Sequence, residues 1–471
     1  MHRFFQGRGL TAFLGGIRPH TVFLTLALTF GLAVLFANPP CEAPDECDHF
    51  YRAFQLSEGT FVGQKFGRTA GGQIPTLIVA VTNCYDIPFH PERKMKRAYF
   101  AAKLHPAFVR WDGAIVRQQL DFPHTVIYSP LSYLPQTLAI CLGKLLRIGP
   151  LGLLYLARLA GFGVSVALGF LALRCLPIYR WTVMLLLLCP MNFYLLGSVA
   201  MDGVLITSSF LLIALALRAL VDSAHRVTRM EQVLMIALAT VISMGKLVYL
   251  PLAVGSMLLV SLRLKSASGK WRFLLGYFLV GLLPTFFWNH VMAGLYVPGR
   301  YDVAVDAPAQ LRAILQAPGA FFALLAKSVI YSYQVTYYWL VGVLGWLDTV
   351  LPLWFYSFFK WAILGCLVLE SDGARVLRGW HRLTLLAMAA ATVVLLYVAL
   401  YAIWNRVGSQ AIIEGVQGRY LLPIAPLVVL CFPALPRFRP PPIYAAVAGL
   451  VVGATSAAVC LEAVIARYYL P

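Results

Sequence analysis

The sequence predicts an all-α polytopic membrane protein of about eleven transmembrane helices with a large first external loop. Three observations carry this. Of 471 residues, 60% are hydrophobic and only 12% are charged, where a soluble domain has about 25%. Apolar runs of membrane-crossing length recur along the chain. The basic residues fall in short loops between those runs, the topology signal of membrane proteins.

Spans are expected near 20–37, 150–173, 181–197, 203–220, 231–245, 247–262, 273–294, 350–369, 383–402, 420–434 and 442–465. The first run lacks a small-residue cleavage site and is read as a retained span. Arg3, Arg8 and Arg18 precede the first span. Arg174 and Arg180 follow the second, and Arg218, Arg226 and Arg229 the fourth. Arg263, Lys265, Lys270 and Arg272 follow the sixth, Arg375, Arg378 and Arg382 the eighth, and Arg437 and Arg439 the tenth. With eleven spans all of them share one side, which is then cytoplasmic. The net charge of +19 therefore reads as topology rather than as a nucleic-acid patch.

The expected organisation is a cytoplasmic N-terminus and first span (1–37), an external loop (38–149), a transmembrane bundle (150–294), a second external segment (295–349) and a C-terminal bundle (350–471). Ser129–Arg147 is apolar enough to span, but counting it would invert the later basic loops. With Pro130, Pro135, Lys144 and Arg147 it suits a helix on the outer surface. The aromatic stretch 318–345 is read as interfacial for the same reason. Asp48–Ser57 has the pattern of a short amphipathic helix.

Four carboxylates, a histidine and an arginine lie directly behind the first span, in Pro39–Arg52. Ionisable groups at a membrane boundary are costly to hold and usually mark a site. Asp45, Glu46 and His49 are the catalytic candidates. Asp202, Lys246, Arg300, Asp348, Gln417, Arg419 and Tyr420 fall on the same expected face and are candidate binding residues, with Arg52, Tyr128 and Arg158. Each has a plainer reading: Asp202 as a helix cap, Lys246 as a snorkelling side chain, Arg419–Tyr420 as an interfacial anchor, and His49 as a partner of a neighbouring carboxylate. Two adjacent acids after Pro44 exceed what one cap needs.

Cys41, Cys47 and Cys84 share the polar segment, where one disulfide among them is compatible with an external loop. No CxxC pair suggests zinc. Walker A, GxGxxG, HExxH and GxSxG patterns are absent from the sequence, so neither nucleotide hydrolysis nor serine-hydrolase chemistry is suggested.

The motifs Pro44-Asp45-Glu46-x-x-His49-Phe50-Tyr51-Arg52-Ala53, Leu56-Ser57-Glu58-Gly59, Gly71-Gly72-Gln73-Ile74-Pro75, Tyr128-Ser129-Pro130-x-x-Tyr133-x-Pro135-Gln136, Pro190-Met191, Ser198-x-x-x-Asp202 and Gly415-Val416-Gln417-Gly418-Arg419-Tyr420-x-x-Pro423 occur in order. The chain thereby resembles the bacterial membrane-protein family known as domain-of-unknown-function family 2142. It departs at Cys47, where a small residue or proline is expected. That family is in turn similar in architecture to the GT-C glycosyltransferases. The resemblance implies a multi-pass protein of the bacterial inner membrane, N-terminus inside and site facing the periplasm, with juxtamembrane helices in the first loop.

It also implies transfer of a sugar from a polyprenyl-phosphate donor to a cell-envelope glycan or lipid. Asp45 or Glu46 would be the general base, with Arg419 and Lys246 on the phosphate and Arg52, Arg158 and Arg300 as further cations. Asp202 would bind an acceptor hydroxyl or help hold a divalent cation. Beyond that divalent cation no cofactor is expected, and no nucleic-acid partner. Two other functions fit the same residues: a transporter or flippase of lipid-linked sugars, and a glycan polymerase or ligase.

Overall fold

A computed structural model describes residues 16–83, 87, 90–96, 110–113, 116–298, 304–435 and 439–471. Arg3, Arg8, Cys84, Arg300 and Arg437 lie outside the described residues.

Helix α1 (Pro19–Ala37) leads into the acid loop, and α2 (Glu46–Ser57) follows with Asp45 as its N-cap residue. A three-stranded antiparallel sheet then appears, β1 (Gln64–Phe66), β2 (Thr69–Pro75) and β3 (Arg117–Asp121), with β2 central. The all-α expectation does not contain this sheet. Gly67 turns the β1–β2 hairpin at φ 57°, a conformation glycine adopts without strain. A side chain at Gly71 would collide with the Leu120 carbonyl on β3, so the Gly71-Gly72 pair permits the close strand approach. Helix α3 (Thr76–Asn83) follows β2. Helix α4 (Leu134–Leu145) has twelve residues, about 18 Å and too short to cross a bilayer. It exposes Leu134, Leu138, Leu142 and Leu145, a stripe at helical spacing suited to the membrane surface.

The bundle contains α5 (Pro150–Cys175), α6 (Arg180–Leu187), α7 (Pro190–Leu196), α8 (Asp202–Val221), α9 (Arg229–Gly245), α10 (Leu250–Ser261), α11 (Ala267–Leu295), α12 (Ala307–Gln316), α13 (Pro318–Val341), α14 (Leu353–Leu369), α15 (Gly379–Trp404), α16 (Ala425–Leu430) and α17 (Pro442–Tyr468). Among the described residues six helices are long and apolar enough to cross a membrane: α1, α5, α8, α11, α15 and α17. The bent pair α12–α13, turned by 107°, is a seventh candidate. Six to seven candidates by length and composition thus stand where eleven spans are expected, with shorter apolar helices at Leu247–Ser261, Leu353–Leu369 and Gly418–Leu430. The expected span at 181–197 is two short helices, because Pro190 has no N–H to continue α6 and disfavours helical geometry at Cys189. Helix α9 has 17 residues and α10 and α14 are similarly short. Helix α8 is buried over 89% of its apolar window, as an all-round apolar helix at the centre of a bundle must be.

One end of the bundle gathers basic connections. Glu370, after α14, accepts from Trp181 N and Thr182 N at the start of α6, and Tyr179 donates to the Phe432 carbonyl. The end of α14 and the start of α15 are joined there by Ser371–Val376. The start of α14 and the end of α15 therefore share the opposite face. Helix α13 touches both: Phe321 packs on Tyr401 of α15 and Tyr338 on Tyr356 of α14. It thus runs along that face.

The end of α17 closes the same face. Arg467 pairs with Asp348 at 3.0 Å and donates to the carbonyls of His90 and Arg93. Tyr469 donates to the Ala37 carbonyl at 2.7 Å.

Candidate functional site

The acid loop is built around a buried ion pair. Arg158, on α5, meets Glu46 through Nε–Oε1 at 2.7 Å and Nη2–Oε2 at 2.6 Å, both side chains fully buried. Glu46 also accepts from Cys41 N and Val199 N, each at 3.0 Å. Arg158 spends its remaining N–H groups on the carbonyls of Leu35, Asn38 and Pro39. All five guanidinium donors are used, and both carboxylate oxygens carry two bonds each. The pair locks the end of α1, the loop and α2 together and leaves neither side chain free for substrate.

Cys41 and Cys47 form a disulfide across this loop, enclosing both acids. Cys41 and Asp45 adopt left-handed backbone angles, φ 69° and 62°. Such geometry at non-glycine residues persists only where the surroundings enforce it, and here the disulfide and the Glu46 bonds supply that enforcement. Asp45 consequently points away from Glu46. Its carboxylate is 36% exposed and accepts from Arg419 Nη2 at 2.8 Å. Burial raises the Asp45 pKa, but the Arg419 guanidinium more than offsets this and holds it below the usual carboxylate range.

Arg419 arrives from a distant part of the chain. Gly418 packs against the backbone of α13 at Thr336 and Leu340, where a side chain would collide. The buried Arg419 keeps Nε and Nη1 without a hydrogen-bond partner in the protein, as does Oε1 of Gln417. Unsatisfied buried polar groups are uncommon and call for a partner. The Tyr420 ring lies between two cations, 5.4 Å from Arg419 and 5.1 Å from Lys246.

Lys246 follows the end of α9, and Asp202 starts α8, so the antiparallel pair brings them together at 2.6 Å. His49, one turn into α2, shares a 2.6 Å hydrogen bond with the Tyr133 hydroxyl and lies parallel to the Tyr128 ring. Burial lowers its pKa to about 4, so the imidazole is neutral at pH 7. The Tyr420 ring meets both Arg419 and Lys246, so the Asp45–Arg419 and Asp202–Lys246 pairs adjoin one another, and all four charges act electrostatically on His49. Asp48, also on α2, is pushed up to about 8 by burial and by Asp45 and Asp121. Of the neighbouring carboxyls Asp45 and Asp48, Asp45 is therefore the ionised one.

The structure brings together Asp45, His49, Tyr128, Asp202, Lys246, Gln417, Arg419 and Tyr420. Other expected residues stand elsewhere. Arg52 is buried and binds Gln55 Oε1 and the carbonyls of Phe61 and Tyr128, which shapes the loop behind the site. Asp348 is held by Arg467, in a separate cluster with Glu42. Glu46 and Arg158 form the framework already described. Sequence reasoning missed Tyr133, although it sits in the Tyr-Ser-Pro-x-x-Tyr motif. It also missed Glu42, whose two oxygens are buried without a hydrogen bond of good geometry. Burial lifts the Glu42 pKa to about 8, against the pull of Arg467 and Tyr468. Among the described residues no group of three or more His, Cys, Asp or Glu side chains could hold a metal ion.

The family described as predicted membrane protein, DUF2142, matches residues 28–428. The chain belongs to this family. The DUF2142 match includes the acid loop, α8, α9 and the Gln417–Tyr420 segment, so every residue gathered at the site falls within it. No curated protein and no solved structure matches the chain.

Proposed function

We propose that this DUF2142 protein is a GT-C-like membrane glycosyltransferase that transfers a sugar from a polyprenyl-phosphate donor to a cell-envelope glycan or lipid. The observation that carries the reading is the pairing of one partly exposed, ionised carboxylate, Asp45, with a buried guanidinium that keeps two donor atoms free. Positive-inside reasoning assigns the basic end of the bundle to the cytoplasm, the N-terminus inside, and the Asp45 face to the exterior of the inner membrane.

The donor phosphate takes the free Nε and Nη1 of Arg419, as guanidinium groups bind phosphate through paired N–H groups. Lys246 adds positive charge at the departing oxygen. Nη2 of Arg419 stays on Asp45, so one planar group sets the distance between base and leaving group. Phosphate charge beside Asp45 weakens the hold of Arg419 and raises the carboxylate basicity, making donor binding the step that readies the base. The acceptor hydroxyl attacks the anomeric carbon with inversion. Its proton passes to Asp45, the anomeric carbon–phosphate oxygen bond breaks, and that electron pair leaves with the phosphate. His49, neutral and held by Tyr133, and Asp202, held by Lys246, orient the acceptor.

The test is incubation of the purified protein with a panel of polyprenyl-phosphate and polyprenyl-diphosphate sugars, read by mass spectrometry. Transfer or hydrolysis of a monophosphate donor, with Arg419→Lys raising the donor KM at least tenfold, is expected. Movement of the lipid across liposomes with no glycosidic bond made or broken would replace the transferase reading with a transporter.

A further inference from the structure

A second site lies at the elbow between α12 and α13. A cavity of about 420 Å³ opens there, walled by Ala313, Ala317, Ala320, Phe321, Leu324 and Tyr401. That volume is in the range of small-molecule sites, and the alanines make room where larger side chains would fill the bend. Because α13 runs along the face that carries Asp45, the cavity sits at the membrane interface. Leu311, Leu315, Phe322 and Ile330 beside it are exposed, which gives it a lipid-facing surround.

The charge around the mouth is one-sided. Lys327 lines the cavity, and Arg312 and Arg406 are exposed on the adjoining segments. Neither 307–341 nor 403–413 contains an aspartate or glutamate, the flanking acids being Asp306, which caps α12, and Glu414, and among the described residues none of the three cations joins a salt bridge. Lys327 has only the Gln410 carbonyl, at 3.3 Å. An apolar cavity rimmed by unpaired cations at an interface matches an acyl chain with a negative headgroup.

We propose that this cavity binds an anionic phospholipid of the surrounding leaflet, with one acyl chain in the alanine-lined elbow and the phosphate on Lys327. The site is separate from the one at Arg419. Nine residues of α13 separate Lys327 from Thr336, against which Gly418 packs, and nine helical residues span about 14 Å. One phosphate therefore does not serve both cations. The lipid also has a route to the first site. Gly408 N donates to Gln310 at 2.9 Å and Ile413 N to Ser328 at 2.9 Å, so the irregular segment leading to Gln417 and Arg419 is tied to the helices that wall the cavity. An occupied cavity braces that segment.

The test uses the full chain in phosphatidylcholine vesicles doped with photoactivatable phosphatidylglycerol, the diazirine near the end of one chain. Labelling of the 313–327 region is expected, at least fivefold above that from a matched photoactivatable phosphatidylcholine. Ala317→Phe with Ala320→Phe should abolish it, and Lys327→Gln should erase the preference for phosphatidylglycerol while the melting midpoint stays unchanged. Equal labelling by the two lipids in the unaltered protein would mean annular lipid only and would overturn the site. Undiminished labelling of the filled variant would do the same. Should the double variant not fold, the Lys327→Gln comparison decides alone. Sugar transfer is not read in this experiment, so its outcome is independent of the transferase proposal.

Discussion

Exchanging each acid of the Asp45-Glu46 pair for its amide separates framework from chemistry. In Glu46→Gln, one of the two oxygens becomes an NH2 group and faces two of the four donors that now bind the carboxylate. Arg158 also loses its counter-charge in a fully buried position. Breaking a buried pair by removing one partner costs about 3–5 kcal/mol. Asp45→Asn is milder. The side chain is 36% exposed, an amide oxygen still accepts from Arg419, and asparagine tolerates left-handed backbone geometry. Its stability cost should stay below about 1 kcal/mol. Loss of a general base should lower transfer by about 10²–10⁴-fold. The assay is a thermal melt in detergent beside sugar transfer by mass spectrometry. Asp45→Asn should keep the melting midpoint and lose transfer, while Glu46→Gln should melt several degrees lower or fail to accumulate. A normally melting but inactive Glu46→Gln, beside an active Asp45→Asn, would reverse the assignment and refute the reasoning.

Glu42 sets a pH dependence of stability. Its pKa is about 8 in the folded protein against an ordinary value of 4.5, so the folded state holds a proton that the unfolded state has released. Stability therefore falls as pH rises from about 4.5 to about 8 and is level above that. The shift corresponds to a loss on the order of 5 kcal/mol. Glu42→Gln should flatten the melting midpoint between pH 5 and 9, and parallel curves for the two proteins would count against it. Reduction of Cys41–Cys47 releases a loop of sequence separation six, a stabilisation of about 2 kcal/mol. The Glu46–Arg158 pair stays in place, so a thiol reductant or Cys41→Ser with Cys47→Ser should lower transfer at least tenfold with only a small fall in melting midpoint. Full activity with free thiols, shown by mass, would rule out a positioning role.

The helices long enough to cross were legible because long apolar runs need no partner to be read. The 129–147 stretch holds a helix, α4, of only twelve residues, shorter than its apolar composition alone would suggest. The span at 181–197 failed at Pro190, where backbone geometry overrides apolar composition. The small sheet was hidden because its strands are short and polar, with little alternation to read. At the site, the residue types came from the sequence, but the partners did not. Glu46 and Arg158 are 112 residues apart, and Asp45 and Arg419 are 374 apart. Nothing local distinguishes an acid that will be saturated by a buried arginine from its neighbour that will not. Only packing assigns the two roles.

The contacts made by Arg467 reach back 377 residues to His90. At bacterial and eukaryotic elongation rates that interval is roughly 20–75 s of synthesis. The acid loop thus emerges long before the segment that clamps it exists. Cys41 and Cys47, six residues apart, can join at once, whereas Arg158, then Arg419, and finally Arg467 arrive in turn. The order of manufacture makes the disulfide the first part of the site to be set and the last helix the one that finishes it, so a nascent chain halted before 467 carries the acids but not the closed face around them.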